Sequence, residues 1–221
     1  MQQGFKAVVF DMDGVIFDSE KLVIECWQVI ADKYGVPNIV EACNECLGVN
    51  ATETRQKFLN RYGQDFPYDE YKSEMSKLFH DNYDGGRLPM KTGVVELLQY
   101  LKETGVKVAL ASSTRSVVVR QELTDAGIIE YFQVIVGGDM VTRSKPQPDI
   151  FLKACEELGV AREEAFAIED SYNGIRAAAA GHLRPLMVPD LMPPTEEMKA
   201  LSEAIFETLL DVKEYLKLQK G

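Results

Sequence analysis

From residue 88 onward, short apolar runs alternate with longer stretches in which apolar residues recur at helical spacing. The runs at 106–112 (VKVALAS), 132–138 (FQVIVGG), 165–170 (AFAIED) and 184–190 (RPLMVPD), with residues 5–10 before them, predict five strands. Helices are expected at 93–104, 115–126, 148–158 and 171–180. Gly105, Gly127, Gly159 and Gly181 fall where a helix end favours a residue free to take positive φ. Strands alternating with helices of this length imply a parallel sheet with helices on both faces and right-handed crossovers.

Residues 19–87 break the alternation. EKLVIECWQVIADKYG, ATETRQKFLNRYG and YDEYKSEMSKLFHDNY each carry apolar residues at helical spacing, and no strand pattern lies among them. The expected fold is α/β, a doubly wound parallel (Rossmann-like) sheet of five or more strands with an inserted all-helical cap. The core would comprise residues 1–18 and 88–221, and the cap residues 19–87, closed off by a flexible DGGRLP. Such an insert sits beside the carboxyl ends of the strands, where open parallel sheets bind ligands, and it reads as a lid.

Composition narrows the function. The chain has 221 residues, 46% hydrophobic and 27% charged, which suits one core domain carrying an insert. A formal charge of −11 opposes binding to nucleic acid or to an anionic membrane, but leaves small anionic substrates open if a local cation holds them. The first residues, MQQGFKAVVF, show neither a basic segment nor a secretory apolar run, and no apolar run approaches about 18 residues, so a cytoplasmic location is expected. Four cysteines do not read as a disulfide framework in this setting: Cys26 and Cys155 look like small core residues. Cys43 and Cys46 form a single Cys-x-x-Cys, with no second pair for zinc and no strand before it for a redox site.

The polar residues that follow the strands carry the chemistry. Asp11 and Asp13 follow the first strand, Ser112, Ser113 and Thr114 the second, and Lys145 lies beyond the third in RSKPQPDIF. Glu169 and Asp170 end the fourth. Each has an ordinary reading as a helix cap, turn former or surface residue, but a doubly wound sheet brings all of them to one edge. Four carboxylates and one lysine sum to −3, and like charges about 4 Å apart repel by roughly 4 kcal/mol per pair at an effective dielectric near 20. A hard divalent cation resolves this, and all-oxygen ligands favour Mg²⁺, which commonly shares a substrate phosphate. The lysine, the hydroxyls and the N–H groups opening the TRSVVVRQEL helix then make a phosphate cradle, so the parts suit phosphoryl transfer.

DMDGV, LASST, the lysine of KPQPDIF and IEDSYNGI, in that order, resemble the four motifs of the haloacid dehalogenase-like phosphohydrolases, in the branch of the β-phosphoglucomutases and sugar-phosphate phosphatases. The resemblance spans nearly the whole chain. It implies Asp11 as the nucleophile that accepts the phosphoryl group, Asp13 as general acid and base, and Mg²⁺ held by Asp11, the main-chain carbonyl of Asp13 and Asp170. Glu169 would bind the metal directly or from behind another ligand. Ser112 and the Ser113 N–H would grip phosphate oxygens, and Lys145 would offset charge on Asp11 and on the transferring group. Dehalogenases of the superfamily lack the second acid, here Asp13, and its phosphonate hydrolases use a lid lysine, for which Lys21 has no supporting neighbour.

The mutases carry a histidine and an arginine in the lid where this chain has Val23 and Ala51, which favours hydrolysis; Arg55 is the nearest substitute anchor. The expected function is a Mg²⁺-dependent phosphatase of small phosphorylated sugars or polyols. A sugar-phosphate mutase and a catalytically silent binder of phosphorylated metabolites remain the alternatives. The partner is a small phosphorylated metabolite, and the oligomeric state is not legible, with a monomer kept open. Removal of Lys145 is expected to cripple catalysis while leaving metal-free stability equal or improved.

Overall fold

The computed structural model describes residues 4–47 and 51–219. Its centre is a six-stranded sheet of β1 (Ala7–Phe10), β2 (Lys107–Ser112), β3 (Val134–Gly137), β4 (Ala165–Glu169), β5 (Arg184–Met187) and β6 (Ala204–Ile205). Every pairing is parallel, in the order β3-β2-β1-β4-β5-β6. The chain winds outward from β1 in one direction, returns to the middle, and winds outward from β4 in the other. That reversal opens a crevice beyond the ends of β1 and β4.

Four helices follow β1: α1 (Ser19–Tyr34), α2 (Ile39–Asn44), α3 (Ala51–Tyr62) and α4 (Tyr68–Tyr83). The sheet is then flanked by α5 (Val94–Glu103), α6 (Ser116–Asp125), α7 (Asp149–Leu158), α8 (Tyr172–Ala180), α9 (Glu196–Leu201) and α10 (Leu209–Gln219). The five strands and four core helices expected from sequence are all present, slightly shortened. α2, β6, α9 and α10 are additional: α2 and α9 span six residues each and β6 two, too short to show a period.

The two faces of the sheet differ in the size of their side chains. Val8, Phe10, Val108, Leu110, Phe166 and Ile168 pack with Leu97, Leu101, Leu123 and Leu216 from α5, α6 and α10. The intervening positions, Ala7, Val9, Ala109, Ala111, Ala165 and Ala167, meet Phe151, Ala154, Ala177 and Ala178 of α7 and α8. Small residues on this face let α7 and α8 lie close to the strands, while both faces stay covered, which is why each strand reads as an unbroken apolar run.

One helix end departs from expectation. Gly105, Gly127 and Gly159 do take positive φ, but Gly181 has φ −77° and the left-handed position falls to His182, at φ 59°. A Cβ on Gly181 would lie 3.0 Å from Leu183 and 3.3 Å from Pro148, so close packing rather than backbone freedom accounts for the glycine there.

The cap helices are held by stacked and edge-on rings. Phe58 lies 5.0 Å from both Trp27 and Tyr68, and Tyr34 stacks on Tyr71 at 4.2 Å, centroid to centroid. The DGGRLP segment is tied down: Arg87 donates to the carbonyls of Asp84 and Asp81, and a Cβ on Gly86 would come 2.6 Å from the Asp125 carbonyl of α6. Among the described residues no helix is long and apolar enough to cross a membrane.

Candidate active site

Asp11 is the first residue beyond β1, and its N–H donates to the Ile168 carbonyl at 3.0 Å, which sets it beside Glu169 at the end of β4. Asp11, Glu169 and Asp170 are all buried, with carboxylate oxygens within 4.8 Å of one another. Lys145, from the loop before α7, reaches into this cluster. Its ammonium donates to Asp11 Oδ1 (2.5 Å), Glu169 Oε1 (2.6 Å) and the Ala111 carbonyl (3.0 Å). Three N–H bonds thus meet three acceptors, and the face of Phe151 lies 5.1 Å away.

The second oxygen of Glu169 accepts from the N–H groups of Asp170 and Ser171 and from Ser171 Oγ. Glu169 is therefore bound through both oxygens and fixed in place. Two glycines make room for these acids. A Cβ on Gly174 would fall 1.8 Å from Glu169 Cδ, and one on Gly14, which has φ +77°, would fall 2.3 Å from Asp170 Oδ2. The glycines of DMDGV and EDSYNG are thus required by close approach, and at Gly14 also by the backbone.

Asp13 is gripped through both oxygens as well, but by hydroxyls: Ser19 Oγ donates to Oδ1 at 2.7 Å and Thr114 Oγ1 to Oδ2 at 3.0 Å. Sequence reasoning named neither donor for this task. Ser112 is fully buried outside the cavity wall, where its Oγ accepts the Thr114 N–H at 3.0 Å, whereas Ser113 and Thr114 line the cavity.

A cavity of about 370 Å³ opens above these groups, with Asp11, Asp13, Lys145 and Asp170 on its floor and the cap as its roof. The family model for haloacid dehalogenase-like hydrolases matches residues 8–188, the span that contains all eight of the polar residues singled out at the strand ends and the loop after β3. The chain belongs to that family. Over 97% of its length it is 30% identical to the phosphorylated carbohydrates phosphatase of Thermotoga maritima, covering 98% of that protein. Over 85% it is 32% identical to the β-phosphoglucomutase of Bacillus subtilis, covering 88% of it. The crystal structure of CbbY from Rhodobacter sphaeroides in complex with phosphate superposes with a TM-score of 0.76 at 26% identity, covering 94% of this chain and 96% of that one. Family membership and the full-length phosphatase relative make the protein a phosphatase of the haloacid dehalogenase-like group.

The electrostatics of this haloacid dehalogenase-like site favour a cation. Burial, helped by Glu169 and Asp13 and resisted by Lys145, pushes Asp11 up to about 8. Burial and the charges of Glu20, Glu169, Asp11 and Asp190 hold Asp170 well above the usual carboxylate range. Burial opposes the charge on Lys145, yet the paired Asp11 and Glu169 raise its pKa above the ordinary lysine value. One lysine leaves the acids under-compensated, and the all-oxygen donor set fits a hard divalent ion. Glu20 was not foreseen: it lines the cavity, burial pushes it up to about 8, and its Oε2 is buried without a partner. With Asp170 and Asp190 it forms a second group of acids, signalled in the sequence only by the first turn of α1.

Arg55, Lys21, His80 and His182 do not line the cavity. The Arg55 guanidinium is fork-bonded to Asp69 at 2.9–3.2 Å, facing solvent, and Lys21 is an exposed neighbour of Glu25. Val23 lines the cavity and Ala51 opens α3. His80 is a half-buried partner of Asp84 and His182 is exposed. Cys43 and Cys46 lie on the cap side of the cavity, their thiols pushed by burial to about 12 and about 11.

Proposed function

We propose that the protein is a Mg²⁺-dependent phosphatase of small phosphorylated sugars or polyols, working through an aspartyl phosphate on Asp11, with residues 19–87 as its lid. The observation that carries this reading is the buried pairing of Asp11 with Lys145 on the cavity floor, beside an Asp13 oriented by two hydroxyls. An Asp11 oxygen attacks phosphorus, the ester P–O bond breaks, and the departing alkoxide takes a proton from Asp13. A water then attacks the aspartyl phosphate and gives its proton to Asp13, releasing inorganic phosphate and restoring Asp11. Lys145 keeps Asp11 in line and offsets negative charge, while Ser113 and the Thr114 region supply donors on the cavity wall. Mg²⁺ would be held by Asp11, Asp170 and the Asp13 carbonyl, with Glu169 behind them, and would lower the repulsion between Asp11 and the incoming phosphate.

Hydrolysis is favoured over mutase chemistry by the cavity wall. A mutase holds a bisphosphorylated intermediate by both phosphates, yet among the described residues Lys145 is the only basic side chain lining the cavity. The deciding experiment is phosphate release from sugar and polyol monophosphates with Mg²⁺ and with chelator, including β-glucose 1-phosphate with its 1,6-bisphosphate. Free phosphate should exceed glucose 6-phosphate and should vanish with chelator. Near-quantitative glucose 6-phosphate with little free phosphate would establish the mutase instead.

A further inference from the structure

Among the described residues the roof of the cavity is mostly carbon and sulfur. Val23, Ile24 and Trp27 of α1, Cys43 and Cys46 at the end of α2, and Phe58 of α3 face the acidic floor. Among the described residues the polar side chains that α1 to α3 add beyond Ser19 are Glu20, which sits beside Asp170 at floor level, and Thr54. The wall is also stiff: Trp27 and Phe58 are buried, 5.0 Å apart, and both pack on Tyr68.

Resting on the phosphatase reading, we propose that the preferred substrate is a monoester whose leaving group is uncharged and turns an apolar face to the cap. Among sugars and polyols this favours a deoxygenated or short carbon chain over a fully hydroxylated hexose, and an aromatic alcohol serves as the apolar limit. A hydroxyl pressed against the carbon and sulfur of Val23, Ile24, Trp27, Cys43, Cys46 and Phe58 would give up its water without gaining a partner. A second phosphate or a carboxylate would meet no cation there among the described residues, and four acids below, Asp11, Asp13, Glu20 and Asp170. A ring seated on Trp27 and Phe58 would instead bury its carbon surface. The volume, near the low end of the roughly 300–1,000 Å³ of ligand pockets, suits a single ring or a short chain.

The test compares benzyl phosphate with glucose 6-phosphate, both six-membered rings carried on a phosphorylated CH₂ group and both esters of primary alcohols, so that intrinsic reactivity is matched. Acetyl phosphate, too small to need the roof, reports the chemistry alone. In Mg²⁺, kcat/KM for benzyl phosphate should exceed that for glucose 6-phosphate by about 10- to 100-fold, chiefly through KM. Val23→Asn, which puts an amide on the roof, should narrow the ratio at least about threefold, the cost of roughly one good polar contact. Equal or better use of glucose 6-phosphate by the native protein overturns the inference, as does an unchanged ratio in a folded Val23→Asn. If that variant does not fold, the native ratio decides. Cleavage of acetyl phosphate with neither ester consumed also overturns it and leaves the phosphatase reading standing. No phosphate from any of the three removes both.

Discussion

Lys145 and Glu169 hold each other in a setting where neither tolerates loss of the other. The ammonium is buried with three acceptors around it, and removing it would strand Asp11 and Glu169 as unpaired buried carboxylates. Breaking a buried ion pair from one side costs about 3–5 kcal/mol. Lys145→Met should therefore destabilise the metal-free protein by about that amount in denaturant unfolding, besides abolishing turnover; unchanged stability would mean that the acids protonate at no cost. This reverses the sign expected from the sequence, which counts charges but does not show that every lysine proton is already used. Asp11, Asp13, Glu169 and Asp170 were legible because each lies at or just beyond a strand end, and Lys145 because it falls in the loop that follows β3. Thr114 and Ser19 were not assigned to Asp13 because the choice of partner is made in space: Thr114 is 101 positions from the acid it orients.

At the scale of elements, α6 faces the segment that joins α4 to α5. Glu122 of this helix faces the Asp84–Leu88 segment, with one carboxylate oxygen buried and unpartnered. Burial, with smaller contributions from Asp13, Asp84 and Asp125, pushes it from an ordinary value of 4.5 up to about 8. Between those values the unfolded chain has lost a proton that the folded chain keeps, so this group's contribution falls as pH rises from about 4.5 to about 8 and is level beyond. Glu122→Gln should flatten that slope and raise the melting midpoint at pH 8 by about 2–4 °C, roughly 1 kcal/mol after allowance for its partial exposure. A variant that melts with the native pH profile would contradict this. Elements with a full period of pattern were readable from the sequence, apart from the eleven-residue α10, which was not foreseen. α2 and β6 were not, because one and a half turns of helix or two edge residues carry no period, and Gly181 misled because packing and backbone freedom select the same residue.

At the scale of the whole molecule, the fold gathers acids from both halves of a doubly wound sheet beneath cap helices whose cavity-facing residues are mostly apolar. Burial then makes cation binding and stability parts of one equilibrium. At a hundredfold excess over its dissociation constant a native-state ligand adds about 2.7 kcal/mol, which for a chain of this size is about 5–10 °C. Mg²⁺ should raise the melting midpoint by that much, and Asp170→Ala should remove most of the shift. An equal shift in Asp170→Ala would put the ion elsewhere. The central claim is that Asp11 carries the phosphoryl group to water. It is tested most directly by phosphate release from acetyl phosphate in saturating Mg²⁺, native protein against Asp11→Asn, with folding checked by the same thermal melt. The account expects a folded variant slower by about 10³-fold or more. A folded Asp11→Asn that releases phosphate within tenfold of the native rate would contradict it.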